Sequence, residues 1–258
     1  MNHVNKTLYI PLYGKAWVSR RGLILRDPMA EALWEAEGFA LKGKAASKWL
    51  AYNMGMRSAV FDSWLREKLT DDAVVLHLGC GMDSRCCRVE CKNQWYDVDF
   101  PAVIDERRRY FSESDHYRMV GCDLREDWLK DIPAGGTAIV VMEGVSMYLT
   151  TGERLSLLKK LTGHFTQVQL LMDVYTVFAA KASKYKNPIN EVGVTQVYGF
   201  DDPRDPENGT GLRFVKEHAL TPEAMIRQLP KAEQGFFRVM FAGRMAGKIY
   251  RLYEYTTN

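Results

Sequence analysis

The sequence has no long hydrophobic run, few cysteines and little net charge. Its apolar stretches stay well short of the ~20 residues that a membrane-spanning helix needs, so no such helix and no membrane partner are expected. Residues 1–21 carry neither an uninterrupted apolar segment nor a small-residue cleavage site, which argues against a signal peptide. The 5 cysteines are an odd number and predict reduced thiols in a cytoplasmic protein rather than a disulfide framework.

The charges are almost balanced, with 35 Lys and Arg residues against 32 Asp and Glu residues and a net charge of +3. This is too weak for a nucleic-acid partner, which needs a clustered basic face. With 47% hydrophobic and 26% charged residues, the chain has the composition of a globular protein, which excludes a disordered chain. Its 258 residues contain no recognisable linker or repeat, so we expect a single domain.

Short apolar segments alternate with helical patterns in the middle of the chain. Five segments have the composition of buried parallel strands: 73–78, 95–99, 117–121, 137–142 and 168–172. Such alternation predicts right-handed βαβ units and a parallel sheet. Residues 236–242 and 249–255 are predicted to form a final antiparallel hairpin. The fold class expected is α/β, with a Rossmann-like, seven-stranded and mostly parallel sheet.

The rest of the chain is predicted to frame this sheet. The regions expected are a helical cap at 1–70, an α/β core at 71–172, a lid segment at 173–220, and a closing helix and β-hairpin at 221–258. Asp27-Pro28 is a typical helix start, and either Thr150 or Thr151 can cap a helix whose first turn Glu153 supports. Ligands bind outside the carboxyl ends of the strands in open α/β sheets, so the cap and the lid segment should lie over that edge.

A glycine turn follows the first predicted strand directly. The Gly79–Gly81 turn would let a ligand approach the backbone, and Asp99, at the end of the next strand, could accept two hydrogen bonds from a ribose diol. A dinucleotide loop wants a third glycine, but that position holds Ser84, and Asp83 would repel a phosphate. The pattern therefore favours a nucleoside with an uncharged linkage, such as S-adenosylmethionine, over NAD. An NAD-dependent oxidoreductase and a non-catalytic regulatory or carrier-binding module on the same fold stay open as alternatives.

Five blocks of sequence carry a family resemblance. In chain order they are Arg57-Ser-Ala-Val-Phe-Asp62, His77-Leu-Gly-Cys-Gly-Met-Asp-Ser-Arg85, Trp95-Tyr-Asp-Val-Asp-Phe-Pro101, Cys122-Asp-Leu-Arg125 and Glu143-Gly-Val-Ser-Met-Tyr-Leu149. Together they resemble the leucine carboxyl methyltransferase family, which includes bacterial polyketide O-methyltransferases of the tetracenomycin type. The resemblance implies a class I methyltransferase fold and S-adenosylmethionine as cofactor. It covers roughly residues 15–160.

The resemblance also implies roles for individual residues. The expected cofactor-binding residues are Lys15, Arg57, Gly79, Cys80, Gly81, Asp99, Phe100, Asp123, Leu124 and Glu143. Arg57, assisted by Lys15, would bind the cofactor's carboxylate. Asp99 would hold the ribose hydroxyls and Asp123 the exocyclic amine of adenine. Glu143 would lie near the amino group or the sulfonium.

The methyl acceptor is expected to be a carboxylate or a hydroxyl, on a small molecule or on an acyl chain held by a carrier protein. Tyr148 is the candidate catalytic residue, since the resemblance places it at the methyl-transfer channel. The residues expected to line the acceptor pocket are Tyr9, Tyr13, Trp17, Arg20, Tyr175, Phe178, Tyr185 and Tyr198, with the turn-rich loop 201–211 closing it. A carboxylate needs no general base at neutral pH, whereas a hydroxyl does.

A metal site is not expected. Four cysteines, Cys80, Cys86, Cys87 and Cys91, lie close together in sequence, but they lack the paired spacing of a structural zinc site. They are better explained as small thiols around the first helix of the core. The sequence does not predict an oligomeric state.

Overall fold

Helices and strands alternate through the middle of the chain. The computed structural model describes residues 6–38, 41, 43–183 and 196–257. Its helices are α1 (Lys6–Ser19), α2 (Pro28–Glu37), α3 (Lys48–Lys68), α4 (Arg85–Arg88), α5 (Pro101–Arg107), α6 (Thr151–His164), α7 (Val177–Ala182), α8 (Glu223–Ile226), α9 (Lys231–Phe241) and α10 (Gly243–Gly247). Its strands are β1 (Val74–Leu78), β2 (Trp95–Asp99), β3 (Tyr117–Gly121), β4 (Thr137–Met142), β5 (Gln167–Tyr175), β6 (Leu212–His218) and β7 (Tyr250–Thr257).

The seven strands form one sheet in the order β3-β2-β1-β4-β5-β7-β6. Strands β1 to β5 are parallel, and β7 pairs antiparallel with both β5 and β6. This confirms the predicted seven-stranded, mostly parallel α/β fold. The strand order reverses between β1 and β4, and this switch point is where open α/β sheets form their ligand crevice.

The predicted C-terminal hairpin is wrong in one of its two strands. Residues 236–242, expected to be extended, belong almost entirely to α9, and β7 instead pairs with β6, which lies in the segment predicted to be a lid. The sequence of α9 is rich in residues that favour strands, but as a helix it buries Phe237 against Tyr52. Tertiary packing therefore overrides the local preference.

Two predicted helix starts are confirmed. Asp27 caps α2 by accepting from the Ala30 N–H, with Pro28 in the first turn. Thr150 and Glu153 form a capping box at α6, in which each side chain bonds to the backbone of the other. The region 221–258, expected to hold one closing helix, begins with the short helix α8, which spans Glu223–Ile226.

Side chains alternate between the two faces of the sheet, and the two faces differ in chemistry. The apolar face packs against Leu157, Leu158 and Leu161 of α6, and its strand residues include Leu76, Leu78, Val98, Val140, Met142, Leu170 and Met172. The opposite face carries a second apolar cluster, in which Val75, Trp95, Ile139, Val141 and Leu171 pack together with Trp64 of α3. At its carboxyl ends this charged face carries His77, Asp97, Asp99, Glu143 and Asp173, all buried.

Candidate active site

A cavity of about 210 Å³ lies over the carboxyl edge of the sheet, between the strand ends and the helical cap. Its polar wall comes from the strand ends and from the charged side chains behind them: Lys15, Arg57, His77, Gly79, Gly81, Asp83, Glu143 and Gly144. Its apolar wall comes mainly from α1, α3 and the turn after β4: Leu8, Ile10, Pro11, Leu50, Met54, Met147 and Tyr148. Cys80, Met82, Tyr175 and Tyr250 also line the cavity. The cavity therefore combines a charged floor with an apolar roof.

The turn after β1 requires glycine at both ends. Gly79 has φ +66°, and a Cβ atom there would lie 2.1 Å from a methyl carbon of Val145. Gly81 has φ +51°, and its Cβ would lie 3.1 Å from Leu8. Both φ values fall in the left-handed region that favours glycine. The bare backbone of this turn forms part of the cavity wall.

Asp99 at the end of β2 holds this turn in place. Its Oδ2 accepts from the Gly81 N–H at 2.8 Å, and its Oδ1 accepts from the Phe100 N–H at 2.7 Å. Burial raises the pKa of Asp99, while the two backbone donors act to lower it. A carboxylate has about four acceptor positions, so roughly two stay available for further donors such as hydroxyls.

Arg57 of α3 is buried and connects three strand ends. Its Nε donates to Glu143 Oε1 at 3.0 Å, and its Nη1 donates to Asp173 Oδ2 at 3.1 Å and to the Tyr250 hydroxyl at 3.0 Å. Burial alone would raise the pKa of Glu143, but Arg57 and Arg85 outweigh it and lower the pKa to about 2. Glu143 is thus held as a carboxylate at the cavity wall.

A second group of ion pairs surrounds Asp83. Lys15 of α1 lies 3.0 Å from Asp83 Oδ1, Arg88 lies 2.8 Å from the same oxygen, and Arg85 lies 3.3 Å from Oδ2. These cations outweigh the effect of burial and hold the pKa of Asp83 well below its usual range. Lys15 lines the cavity as expected of a cofactor residue, but its partner in this structure is Asp83.

Arg107 joins β2 to the glycine turn. Its guanidinium donates to Asp97 and, at 2.8 Å each, to the carbonyl oxygens of Gly81 and Asp83. Asp97 also contacts His77 Nδ1 at 3.1 Å, and Arg85 contacts the other ring nitrogen at 3.0 Å. His77 is therefore a hydrogen-bonded core residue, and it also lines the cavity.

The other predicted cofactor residues lie farther along the same edge. Phe100 follows β2 and is 45% exposed, and Leu124 follows β3 and is buried in the apolar cluster. Asp123 is partly exposed and accepts from Arg125. The sheet order β3-β2-β1-β4 thus brings Asp123, Asp99, the Gly79–Gly81 turn and Glu143 into one row. Cys80 lies within that turn and lines the cavity.

Tyr148 lies in a 3-10 turn after β4 and lines the cavity. Burial raises the pKa of Tyr148 to about 12, although part of the ring stays exposed. The hydroxyl is therefore protonated at neutral pH. It can donate or accept a hydrogen bond there, but it is a weak base.

None of the four cap residues predicted to line the acceptor pocket, Tyr9, Tyr13, Trp17 and Arg20, lines this cavity. The Tyr9 hydroxyl donates to Glu37, and the Tyr13 hydroxyl donates to the Ala46 carbonyl. Trp17 packs edge-on against Tyr52, while Arg20 donates to Glu31 and Glu35 at the surface. Helix α1 does contribute to the cavity, but through a different face from the one predicted. The residues that it turns towards the cavity are Leu8, Ile10, Pro11 and Lys15.

The second group of predicted pocket residues lies only partly at the cavity. Tyr175 lines the cavity, as expected. Phe178 does not, since its side chain is 66% exposed on α7. Tyr198 lies outside the lining, where its backbone N–H donates to the Met147 carbonyl. Tyr185 lies outside the described residues.

Loop 201–211 does not close the cavity, contrary to the prediction. It packs on the far side of β7, where the Tyr255 hydroxyl donates to the Pro203 carbonyl at 2.8 Å. Gly209 lies against Lys159 of α6. The loop therefore extends the apolar face of the sheet, and the division of 173–220 as a lid segment stays a prediction.

In the described part of the chain, no group of three or more His, Cys, Asp or Glu side chains is arranged to hold a metal ion. All five cysteines are free thiols. None of the helices that the structure describes is long and apolar enough to cross a membrane.

Comparison with known proteins assigns the chain. The sequence profile of the leucine carboxyl methyltransferase family matches residues 11–162. The chain belongs to this family. It is also 30% identical over 261 residues to the tetracenomycin polyketide synthesis O-methyltransferase TcmP of Streptomyces glaucescens, covering 98% of this chain and 96% of that protein. A methyltransferase of Gibberella zeae that depends on S-adenosyl-L-methionine, dpfgK, is 31% identical over 167 residues, 57% of this chain and 55% of the relative.

Solved structures of methyltransferases share the fold of this family member. A putative methyltransferase from Thermobifida fusca YX superposes with a TM-score of 0.59 at 13% identity, covering 95% of this chain and 94% of that one. Magnesium protoporphyrin IX methyltransferase from Synechocystis PCC 6803, solved with S-adenosylmethionine bound, gives 0.53 at 13% identity over 88% and 91% of the two chains. The class I methyltransferase fold is thus confirmed. The protein is a methyltransferase that uses S-adenosylmethionine, which excludes both the NAD-dependent and the non-catalytic alternatives.

Proposed function

We propose that this methyltransferase transfers the methyl group to a carboxylate oxygen of a small, largely apolar molecule. Two observations support an oxygen acceptor of this kind. The full-length relative TcmP is named an O-methyltransferase of polyketide synthesis. The wall opposite the charged floor is built from apolar side chains such as Leu50 and Met54, which suits an apolar acceptor body.

The cofactor is proposed to bind along the row of strand ends. Arg57 offers a guanidinium for its carboxylate, and Glu143 offers a carboxylate for its ammonium group. The Gly79–Gly81 turn offers a surface without side chains, and Asp99 has free acceptor positions for the ribose hydroxyls. Asp123 and Leu124 stand where the row ends and are proposed to flank the adenine. When bound, the cofactor supplies an already activated methyl group on a sulfonium.

The main support for a carboxylate acceptor is that the titratable side chains in the cavity wall are poorly suited to act as a general base. Asp83 and Glu143 are ion-paired, and their pKa values are lowered by their partners, so both are weak bases. The ring nitrogens of His77 are engaged by Asp97 and Arg85. Among the described lining residues these groups offer no ready general base for a hydroxyl. A carboxylate needs none, because it is ionised at neutral pH.

Catalysis on such an acceptor rests on positioning. An oriented nucleophile can lower the barrier by about 7–11 kcal/mol without proton transfer. Tyr148 lies at the rim of the cavity with a protonated hydroxyl, and we propose that it donates a hydrogen bond to the acceptor. The apolar wall keeps water from competing for the methyl group.

A competition between two acceptor groups tests the proposal. The enzyme is incubated with labelled S-adenosylmethionine and panels of aromatic acids, the matching phenols, and hydroxy acids that carry both groups. Mass spectrometry should find methyl esters, with a rate that does not rise between pH 7 and 9 because the carboxylate is already ionised. Ether products whose rate rises with pH would contradict the carboxylate assignment.

A pair of variants locates the acceptor wall. Met54→Trp fills space beside the apolar roof, so KM for the acceptor should rise while affinity for S-adenosylhomocysteine is retained. Val239→Trp is the matched control, since Val239 is 71% exposed on α9 and outside the cavity lining. Equal behaviour of the two variants would show that the acceptor binds elsewhere.

A further inference from the structure

Arg57 has one terminal nitrogen, Nη2, that is not used by its neighbours. Its Nε donates to Glu143, and the two hydrogens of Nη1 go to Asp173 Oδ2 at 3.1 Å and to the Tyr250 hydroxyl at 3.0 Å. Nη2 donates to no group in the described chain, and it is not among the buried polar atoms there that lack a partner. A Cβ atom at Gly144 would lie 3.6 Å from Nη2, and both residues line the cavity. The hydrogens of Nη2 are therefore the ones that Arg57 presents to a ligand.

The Tyr250 hydroxyl is hydrogen-bonded on both sides. Its oxygen accepts from Arg57, and its own hydrogen is donated to Asp173. Burial, together with the charge of Asp173, raises the pKa of Tyr250 well above its usual range, so this hydrogen is present at neutral pH. The Arg57–Asp173 ion pair closes the triangle, and the Gly144 N–H holds Asp173 from behind at 2.7 Å. Both hydrogens of Nη1 are thus tied to groups that are themselves held in place.

The sheet and the packing around it set the position of this hydroxyl. Tyr250 is the first residue of β7 and pairs with Tyr175 at the end of β5. The two rings meet edge-on, with their centroids 4.8 Å apart and an angle of 78° between their planes. Tyr250 also packs against the apolar cluster that contains Met147 and Ala179. The phenol therefore offers Arg57 an acceptor at a defined place, which keeps Nη1 turned away from the cavity.

We propose that Tyr250 is a positioning residue for the cofactor's carboxylate, because its hydroxyl holds Nη1 of Arg57 and leaves Nη2 aligned with the ligand. The inference rests on the proposed binding of that carboxylate by Arg57. Without the hydroxyl, one N–H of Nη1 loses its acceptor, and the guanidinium tilts to find another at the cavity wall. A charge-assisted bond depends on geometry, so this tilt weakens the contact to the carboxylate. Tyr250 lies outside residues 11–162, which the family profile matches, and outside the five blocks of sequence.

Two ligands that differ only in the carboxylate isolate this effect. They are S-adenosylhomocysteine and its decarboxylated analogue, S-adenosyl-3-thiopropylamine, which share the adenine, the ribose, the thioether and the ammonium group. A hydrogen bond to a charged group corresponds to about 10- to 150-fold in affinity, so the wild-type protein should prefer S-adenosylhomocysteine by about this factor. Tyr250→Phe misaligns the bond without removing Arg57, so the preference should shrink by about 3- to 10-fold. Affinity for the analogue should be unchanged.

Isothermal titration calorimetry with both ligands tests this directly, at pH 8 so that Asp173 is ionised. Tyr253→Phe is the matched control, because it removes a hydroxyl from the same strand but on the apolar face of the sheet. Thermal unfolding first establishes that both variants are folded. An unchanged ratio of the two affinities in folded Tyr250→Phe would overturn the proposal. Equal weakening for both ligands would also do so, because it indicates a purely structural role.

A crystal structure of the wild-type protein with S-adenosylhomocysteine provides a second test that does not depend on any variant. The ligand's carboxylate should lie within about 3.2 Å of Nη2, with Nη1 still bonded to Tyr250 and Asp173. A carboxylate bound to Nη1 in place of the Tyr250 hydroxyl would contradict the proposal even if Tyr250→Phe fails to fold. Equal wild-type affinities for the two ligands would reject carboxylate binding by Arg57 and the role of Tyr250 with it. A preference that Tyr250→Phe retains in full would reject the role of Tyr250 alone.

Discussion

On one face of the sheet, Leu76, Val140 and Leu170 pack in an apolar cluster with the leucines of α6. On the other face the same strands end in His77, Glu143 and Asp173, which lie among buried arginines. Neighbouring residues of one strand thus belong to two different environments, because successive side chains point to opposite faces. We infer that the two faces contribute differently to stability and to ligand binding.

The apolar face mainly stabilises the fold, whereas the charged face mainly orients the side chains that surround the cavity. Burying apolar area contributes about 25 cal/mol per Å², whatever its position in the layer. Buried ion pairs contribute little net stability, because their desolvation offsets their attraction, but they are strongly orienting. A cofactor with several charged groups needs that orientation, which the apolar layer cannot provide. Four predictions test this division.

The largest effect is expected from breaking the buried ion pairs that Arg85 forms with Asp62, Asp83 and Glu143. Arg85→Met leaves Asp62 and Glu143 buried with fewer partners, and removing one partner of a buried pair destabilises by about 3–5 kcal/mol. Denaturant unfolding should show this loss, and calorimetry should show no binding of S-adenosylhomocysteine. Arg109→Met, at an exposed arginine on the surface, is the control and should leave the unfolding curve in place. Near-wild-type stability of Arg85→Met would mean that the buried ion pairs of Arg85 are not needed to hold the charged face together.

The next effect separates stability from binding. Leu158→Ala on the apolar face removes a fully buried side chain of α6 and should destabilise by about 2–5 kcal/mol. Its affinity for S-adenosylhomocysteine, measured well below the unfolding temperature, should stay within twofold of the wild type. A large loss of affinity would show that the two faces are coupled rather than independent.

Asp99→Ala should have the opposite effect to Leu158→Ala, lowering the affinity for S-adenosylhomocysteine rather than the stability. It removes acceptors proposed to bind the ribose, and hydrogen bonds to charged groups contribute ~1.5–3 kcal/mol each. Affinity for S-adenosylhomocysteine should therefore fall by about 10- to 150-fold. Asp97 is unsuitable as a control, because it is buried against His77, Trp95, Arg107 and Tyr117. The exposed Asp105→Ala serves instead, and equal affinities in the two variants would refute the role of Asp99.

The smallest effect concerns the shape of the curve of unfolding free energy against pH. The pKa values of Glu143 and Asp97 are lowered to about 2, so their stabilisation is full above pH 4.5 and is lost as pH falls towards 2. The raised pKa of Asp173 has the opposite sign, since its burden on stability is relieved as pH falls below 6. Stability should thus rise slightly from pH 6 to about 4.5 and then drop. Leu158→Ala should lower this curve without changing its shape; a changed shape would contradict the assignment to the charged face.

Much of this fold is predictable from local sequence. Strands β1 to β5 are short apolar runs that end in a glycine or an acid, and each was found within a few residues. Strand β6 was missed because it is an exposed edge strand with an irregularity between Phe214 and Lys216. Its partner β7 was found but paired with the wrong segment, since Phe236 and Val239 are compatible with either a helix or a strand.

The residues of the site that follow strands were predictable from the sequence, whereas the buried arginines that contact them were not. Gly79, Asp99 and Glu143 follow strands directly, so their meeting at one edge follows from topology. That Arg85 pairs with Glu143, or that Arg107 binds the glycine turn, depends on how α3, α4 and α5 pack. A run of arginines in a helix gives no signal of which one is buried; here Arg107 is fully buried and Arg109 is exposed.

The place of β7 has a consequence for how the protein is made. It is the last strand along the chain, yet it lies inside the sheet between β5 and β6. During synthesis, β6 emerges before the strand that it pairs with, and β5 keeps an open edge until residues 250–257 follow. Tyr250, which contacts Arg57, arrives with that same segment. A nascent chain therefore covers this open edge and adds Tyr250 to its cavity wall in a single event.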